Sequence, residues 1–190
     1  MRNIYGFYSN IRDASWQALL DFGCDRLPIE LSSICNQLGV VLLDNTTAQE
    51  LRPTESGVAV RQDGVWYIVF DDTDTRGKQR FTVAHELGHI LLGHALKNGY
   101  YTRRSNIVKP EDERAADMFA ARLLAPACVL WGIGATTAEQ IAAVCDISIT
   151  AARIRAERLD LLRKRNKFLT SPIEREVYKQ FETYINNSRL

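Results

Sequence analysis

At 190 residues the chain suits one domain with an appendage or two small ones, and 46% hydrophobic with 25% charged residues is the balance of a folded globular protein, not of a disordered one. No apolar run reaches membrane-spanning length, and Met1 to Asn10 lack the apolar core of a signal peptide. The net charge of +1 hides a division: residues 151–190 carry ten Lys/Arg against five Asp/Glu, a balance of +5, which leaves −4 for residues 1–150. Such a basic tail suits an acidic partner or nucleic acid, or simply a solvated helix face. The four cysteines, Cys24, Cys35, Cys128 and Cys145, form no C-x-x-C pair and sit among apolar neighbours. They read as small buried hydrophobes in a reducing compartment, and a cytoplasmic protein without a membrane partner is expected.

In chain order, residues 9–23 carry Ile11, Ala18, Leu19 and Phe22 at helix spacing, with Gly23 as a stop. Pro28 is placed to open a second helix that Gly39 ends, with Ile29, Leu31, Ile34 and Leu38 as its buried stripe. Val40 to Leu43 reads as a short buried strand, and Asp44 to Ser56 as a loop. Residues 57–61 and 65–70 flank Gln62-Asp63-Gly64, a hairpin signal because glycine accepts positive φ. Val65-Trp66-Tyr67-Ile68-Val69-Phe70 is apolar on both faces, so both should be covered. It is also a strand that could pair with an extended substrate. Asp71 to Lys78 then connects to a helix over about Arg80 to Leu92, stopped by Gly93.

That helix holds the most informative stretch: His85-Glu86-Leu87-Gly88-His89-Ile90-Leu91-Leu92-Gly93-His94 contains all three histidines of the chain. Its first five residues read H-E-x-x-H. Positions four apart share a helix face, so His85 and His89 can reach one ion, with Glu86 beside them as general base. Ala84, Leu87 and Leu91 form the opposite, packing stripe, and Gly88 keeps the helix slim for a neighbour.

A catalytic zinc ion takes three protein ligands and leaves one position for water. His94 is one place early for the third histidine of H-E-x-x-H-x-x-G-x-x-H, since Leu92 and Ala95 stand where Gly and His are needed. Ala95 to Lys109 reads as a loop over the cleft, carrying Tyr100 and Tyr101. The next helix opens at Pro110 with acids in its first turn and ends at Pro126. Glu113 lies 24 residues after His89 on its small, alanine-rich face, and Asp117 follows one turn later. Glu113 is the favoured third ligand, with Asp117 accepting the N–H of a ligand histidine; Glu111 and Asp112 are the fallback ligands.

At this point the chain resembles a known family. Arg80-Phe81-Thr82-Val83-Ala84-His85-Glu86-Leu87-Gly88-His89-Ile90-Leu91-Leu92 is similar to the R-F-T-x-A-H-E-L-G-H-x-L-L signature of the ImmA/IrrE metallo-endopeptidases. Glu113-x-x-Ala116-Asp117-x-Phe119-Ala120-Ala121-x-Leu123-Leu124-x-Pro126 is similar to the second signature of that family, with Ala125 where Met is frequent. The resemblance spans residues 28–160 and implies an α+β fold: a small zincin-like (minigluzincin) domain whose short, antiparallel-containing sheet packs on the H-E-x-x-H helix. It also implies cleavage of a helix-turn-helix repressor of a bacterium or mobile element. The expected site is one Zn2+ on His85, His89 and Glu113, with Glu86 as general base and Asp117 behind a ligand. Tyr100, Tyr101 and His94 are the candidate donors to the oxyanion.

Beyond Pro126, Thr137 caps a helix with Gln140 three residues on, Asp146-Ile147-Ser148 turns, and Ile149 to Leu162 is helical. With the basic run Arg163 to Lys167 this resembles a helix-turn-helix. Packing against the peptidase is favoured over DNA binding. Ser171-Pro172-Ile173-Glu174 opens a last helix with Ile173, Val177, Phe181, Tyr184 and Ile185 on one stripe. The expected organisation is a helical extension over 1–27, the peptidase domain over 28–130 and a helical subdomain over 131–190. Two other functions fit the same residues: a DNA-binding regulator with a structural or sensory metal, and a module that sequesters a repressor without cutting it.

Overall fold

The computed structural model describes residues 11–94 and 110–190. The loop expected over Ala95 to Lys109, with Tyr100 and Tyr101, lies outside the described residues. The chain divides into two compact units that do not follow chain order. Leu31–Ala120, with the described part of Met1–Ala14, forms one; Ser15–Glu30 and Ala121–Leu190 form the other.

The first unit is α+β. It contains α2 (Leu31–Leu38), β1 (Val40–Asp44), α3 (Asn45–Ala48), β2 (Gly57–Gln62), β3 (Val65–Phe70), α4 (Arg76–Leu92) and most of α5 (Pro110–Leu124). The three strands make one mixed sheet in the order β1-β3-β2, with β3 parallel to β1 and antiparallel to β2. Asp63 and Gly64 turn the hairpin with φ of 49° and 84°, the positive pair that a two-residue type I′ turn demands. Being central explains why β3 is apolar on both faces: Ile68 and Val69 point opposite ways and both are buried. Among the described residues β1, expected as a buried strand, lies at the edge of the sheet, and Val41 is 39% exposed. Four apolar residues in a row do not reveal whether both sides of a strand are paired.

Helix α4 packs on β2 and β3. The approach is tight at the start of β2, where a side chain on Gly57 would overlap the Thr82 methyl group. α2 begins at Leu31, not at Pro28. Leu27 to Glu30 belongs to the other unit, with Leu27 and Ile29 buried, so the helix starts where the chain passes between units. α3 lies inside the expected loop 44–56; the Asp44 carboxylate accepts from the Thr47 amide and caps it.

The second unit is helical: most of α1 (Ile11–Asp21), then α6 (Ala127–Gly132), α7 (Ala138–Cys145), α8 (Ile149–Lys164), α9 (Pro172–Gln180) and α10 (Glu182–Asn187). Thr137 forms the full capping box with Gln140, and Asp146 turns the chain from α7 toward α8 at φ 54°. The expected last helix is two, broken at Phe181, whose ψ of 3° leaves the helical region while its ring stays buried. Val177, Phe181 and Ile185 fill this unit's core, and α9 packs on α6. Gly132 permits this, because a Cβ there would stand 2.8 Å from Tyr178 and 3.0 Å from Ile185. The Gln180 amide ties the segment before Glu30 in place by donating to the carbonyls of Leu19 (2.8 Å) and Cys24 (2.6 Å). Glu111–Gly132 is long and apolar enough to span a membrane by composition, but it breaks at Pro126 and 61% of its apolar window is buried, as in core helices.

Candidate metal centre

The site grows from α4. Its first turn is polar, and it starts four residues before Arg80 because side chains build a frame for it. Gln79 donates to the carbonyls of Asp72 (3.0 Å) and Asp74 (2.7 Å), and Lys78 meets Asp74 at 2.8 Å. From Thr82 to Leu92 every residue is buried. Gly93 ends the helix at φ 74°, its amide donating to the carbonyls of His89 and Ile90. The polar members of this buried run are Thr82, His85, Glu86 and His89.

Four residues apart, His85 and His89 bring their rings to 4.7 Å between centroids and their Nε2 atoms to 2.9 Å. Glu113 of α5 closes the triangle: its two carboxylate oxygens lie 3.3 Å from His85 Nε2 and 3.3 Å from His89 Nε2. The helices come this close because Gly88 faces α5. A Cβ on it would stand 3.2 Å from the Phe119 ring and 3.3 Å from the Ala116 backbone. The alanine face of α5 is therefore the floor that brings Glu113 to the histidines.

The outer ring nitrogens are also engaged. Asp117 Oδ1 lies 2.8 Å from His85 Nδ1, and His94 Nδ1 lies 3.0 Å from His89 Nδ1. Asp112 Oδ1 stands 3.5 Å from His94 Nε2. Glu86 is 1% exposed. Burial works against a charged His85, but the hydrogen bond it donates to Glu113 and the negative charges of Glu86, Glu113 and Asp117 outweigh it, and its pKa is raised. Hydrogen bonds from His85 and then His89 hold the Glu113 carboxyl well below the usual range, against the opposing effect of its burial. Carboxylates thus gather around the buried His85 imidazole, which favours positive charge.

This donor set fits a metal ion. The ligand atoms of His85, His89 and Glu113 all lie within 4.8 Å of one another, the one such group of His, Cys, Asp and Glu among the described residues. Tetrahedral coordination at about 2.0–2.1 Å puts ligand atoms about 3.3–3.4 Å apart, so the two imidazole–carboxylate distances already match. The two Nε2 atoms need to part by only about 0.4 Å. Two neutral imidazoles and one carboxylate suit a first-row divalent ion, zinc being one of those that imidazole ligates.

The model of the IrrE N-terminal-like domain, a peptidase family, matches residues 35–157. The chain belongs to this family. The matched span of this IrrE-like peptidase includes α4 and α5 whole, so both halves of the site fall within it. Membership implies a metallopeptidase, and His85, His89 and Glu113 are the group that can hold its ion. No curated protein matches the chain.

Of the expected site residues, the structure thus brings together His85, His89, Glu113 and Asp117, with Glu86 buried next to His85. Tyr100 and Tyr101 lie outside the described residues. His94, expected among the oxyanion donors, has its Nδ1 turned toward the outer nitrogen of His89. Spacing gave no hint of this contact, because His94 follows the left-handed Gly93 and leaves the helical series. Asp112, expected only as a fallback ligand, meets His94 instead of the central triangle.

Proposed function

We propose that this IrrE-like peptidase is a zinc-dependent endopeptidase of the cytoplasm that hydrolyses one peptide bond in a regulatory protein, a helix-turn-helix repressor of a bacterium or mobile element. The observation that carries the metal chemistry is the convergence of His85 Nε2, His89 Nε2 and the Glu113 carboxylate. Bound there, zinc supplies Lewis acidity to a carbonyl oxygen and acidity to a neighbouring water. Glu86 takes the proton of that water, holds it through attack on the scissile carbonyl, and delivers it to the leaving amine. Its position one residue after His85 and its burial suit that role, since a buried carboxylate keeps its proton away from bulk water. Asp117 accepts from His85 Nδ1–H, which leaves His85 Nε2 bare for the ion.

A regulator that binds DNA through α7 and α8 is the second reading, favoured by the capped pair and its left-handed turn at Asp146. Exposed Glu157 and Asp160 among Arg153 and Arg158 weigh against it, because acids on that face oppose phosphate. The deciding experiment incubates the zinc-loaded protein with the repressor encoded beside its gene and follows fragments by mass spectrometry. Cleavage should stop with a chelator and return with zinc. Glu86→Gln should keep zinc and lose cleavage by about 100- to 10,000-fold, whereas His89→Ala should lose both. Near wild-type cleavage by Glu86→Gln would remove the general-base role. An uncut repressor held in a stable complex would replace proteolysis with sequestration.

A further inference from the structure

We propose that His94 and Asp112 are positioning residues for the metal: together they set the tautomer of His89. The proposal rests on the metal-site reading above. A neutral imidazole carries one proton. For His89 to offer a bare Nε2 to an ion, that proton must sit on Nδ1. His85 has this arranged directly, because its Nδ1 faces Asp117, a carboxylate that only accepts.

His89 faces a group with no such fixed preference. Its Nδ1 lies 3.0 Å from the Nδ1 of His94, and one proton serves the contact between the two nitrogens. If His94 holds that proton, His89 places its own on Nε2, the atom 3.3 Å from Glu113 and 2.9 Å from His85, and cannot ligate. If His89 holds it, His94 must carry its proton on Nε2. Asp112 Oδ1, 3.5 Å from that Nε2, favours the second arrangement. The sequence of influence is therefore Asp112 to His94 to His89 to the ion. Both side chains are well shielded, His94 at 10% and Asp112 at 20% exposure, so water competes weakly for these contacts. Gly93 makes the geometry possible, since its left-handed conformation sends the next residue off the helix axis.

The test measures zinc affinity of the full chain by competition with a chromogenic chelator. His94→Phe, which fills the space but accepts no hydrogen bond, should weaken zinc binding by about 10- to 100-fold. His94→Asn puts an acceptor oxygen where Nδ1 was and should restore affinity to within about threefold of wild type. Asp112→Asn should fall between the two. Melting of the metal-free variants reports packing separately, and a purely structural role would lower it without the recovery in His94→Asn. Unchanged affinity in His94→Phe, or no recovery in His94→Asn, overturns the proposal. Should His94→Phe fail to fold, wild-type affinity in Asp112→Asn overturns it. A wild-type chain that takes up no zinc brings down the metal-site reading itself, whereas tight wild-type binding with indifferent variants brings down this inference alone.

Discussion

Helices α4 and α8 are nearly equal in length, 17 and 16 residues, and bury themselves in opposite ways. Every residue of α4 from Thr82 to Leu92 is buried, two histidines and a glutamate included. Of α8 only Ala152 and Leu159 are buried, and most of its charges stand in water, as in the exposed Lys164–Asp160 pair at 2.7 Å, although Arg155 turns inward to donate to the Ala125 carbonyl at 2.7 Å. Such surface pairs contribute about 0–1 kcal/mol. Ionisable groups held away from water cost several times more unless partnered, so they persist where chemistry needs them. What separates the two helices is therefore not how many charged residues they carry but where the fold puts them. In α8 most of the charges keep a helix soluble; in the buried run of α4 the ionisable groups are pressed against a second helix that answers them.

The largest effect is expected where the helices of the site meet. Gly88→Val adds a branched side chain against Ala116 backbone 3.3 Å away and should cost about 1–3 kcal/mol, with loss of zinc binding; thermal unfolding and metal content check it. Asp117→Ala removes the acceptor of His85 Nδ1 and should weaken zinc about 10- to 100-fold in the same chelator competition, leaving the fold intact.

Protonation gives a smaller effect of defined sign. The raised pKa of His85 adds stability to the metal-free protein below the ordinary histidine range near 6.5, lost as pH rises through the higher folded value. The lowered pKa of Glu113 adds stability above its ordinary range near 4.3, lost as pH falls toward the folded value. The metal-free melting temperature should therefore fall from pH 6 to pH 8, while the increment from zinc, which displaces the His85 proton, should grow. The absence of opposite trends in calorimetry would refute the coupling. The smallest effect belongs to α8: Ile154 is 66% exposed, and Ile154→Ala should change stability by less than about 0.5 kcal/mol in denaturant titration.

Much of this architecture was legible wherever residues of unlike character alternate. The hairpin announced itself through Asp63-Gly64, α7 through Thr137 and Gln140, and α5 through Pro110, its acids and its alanines. Glu113 was legible because a half-complete ligand set asks for a third donor. Other features left no local trace. α6, Ala-Cys-Val-Leu-Trp-Gly, is largely buried and so lacks the alternation that marks a helix with one wet side. The break at Phe181 is silent because Val177, Phe181 and Ile185 keep helical spacing across it. The start of α4 at Arg76 is silent because its first turn is polar and held by side chains of Asp74 and Gln79. The meeting of His94 with His89 depends on a single backbone angle at Gly93, which composition does not encode.

The crossing of α4 over α5 at Gly88 has a thermodynamic consequence. An ion bound by His85, His89 and Glu113 is a clasp between two helices whose ligands lie 24 and 28 residues apart in the chain. Ligation then acts by mass action on the folded state, adding about 2.7 kcal/mol when free metal stands at 100 times its dissociation constant. That is a large share of the margin by which a small domain stays folded. If the proposed site holds its ion, starvation for metal would remove a clasp as well as a reagent, and the supply of the ion would govern how much folded protein there is as well as how fast it works.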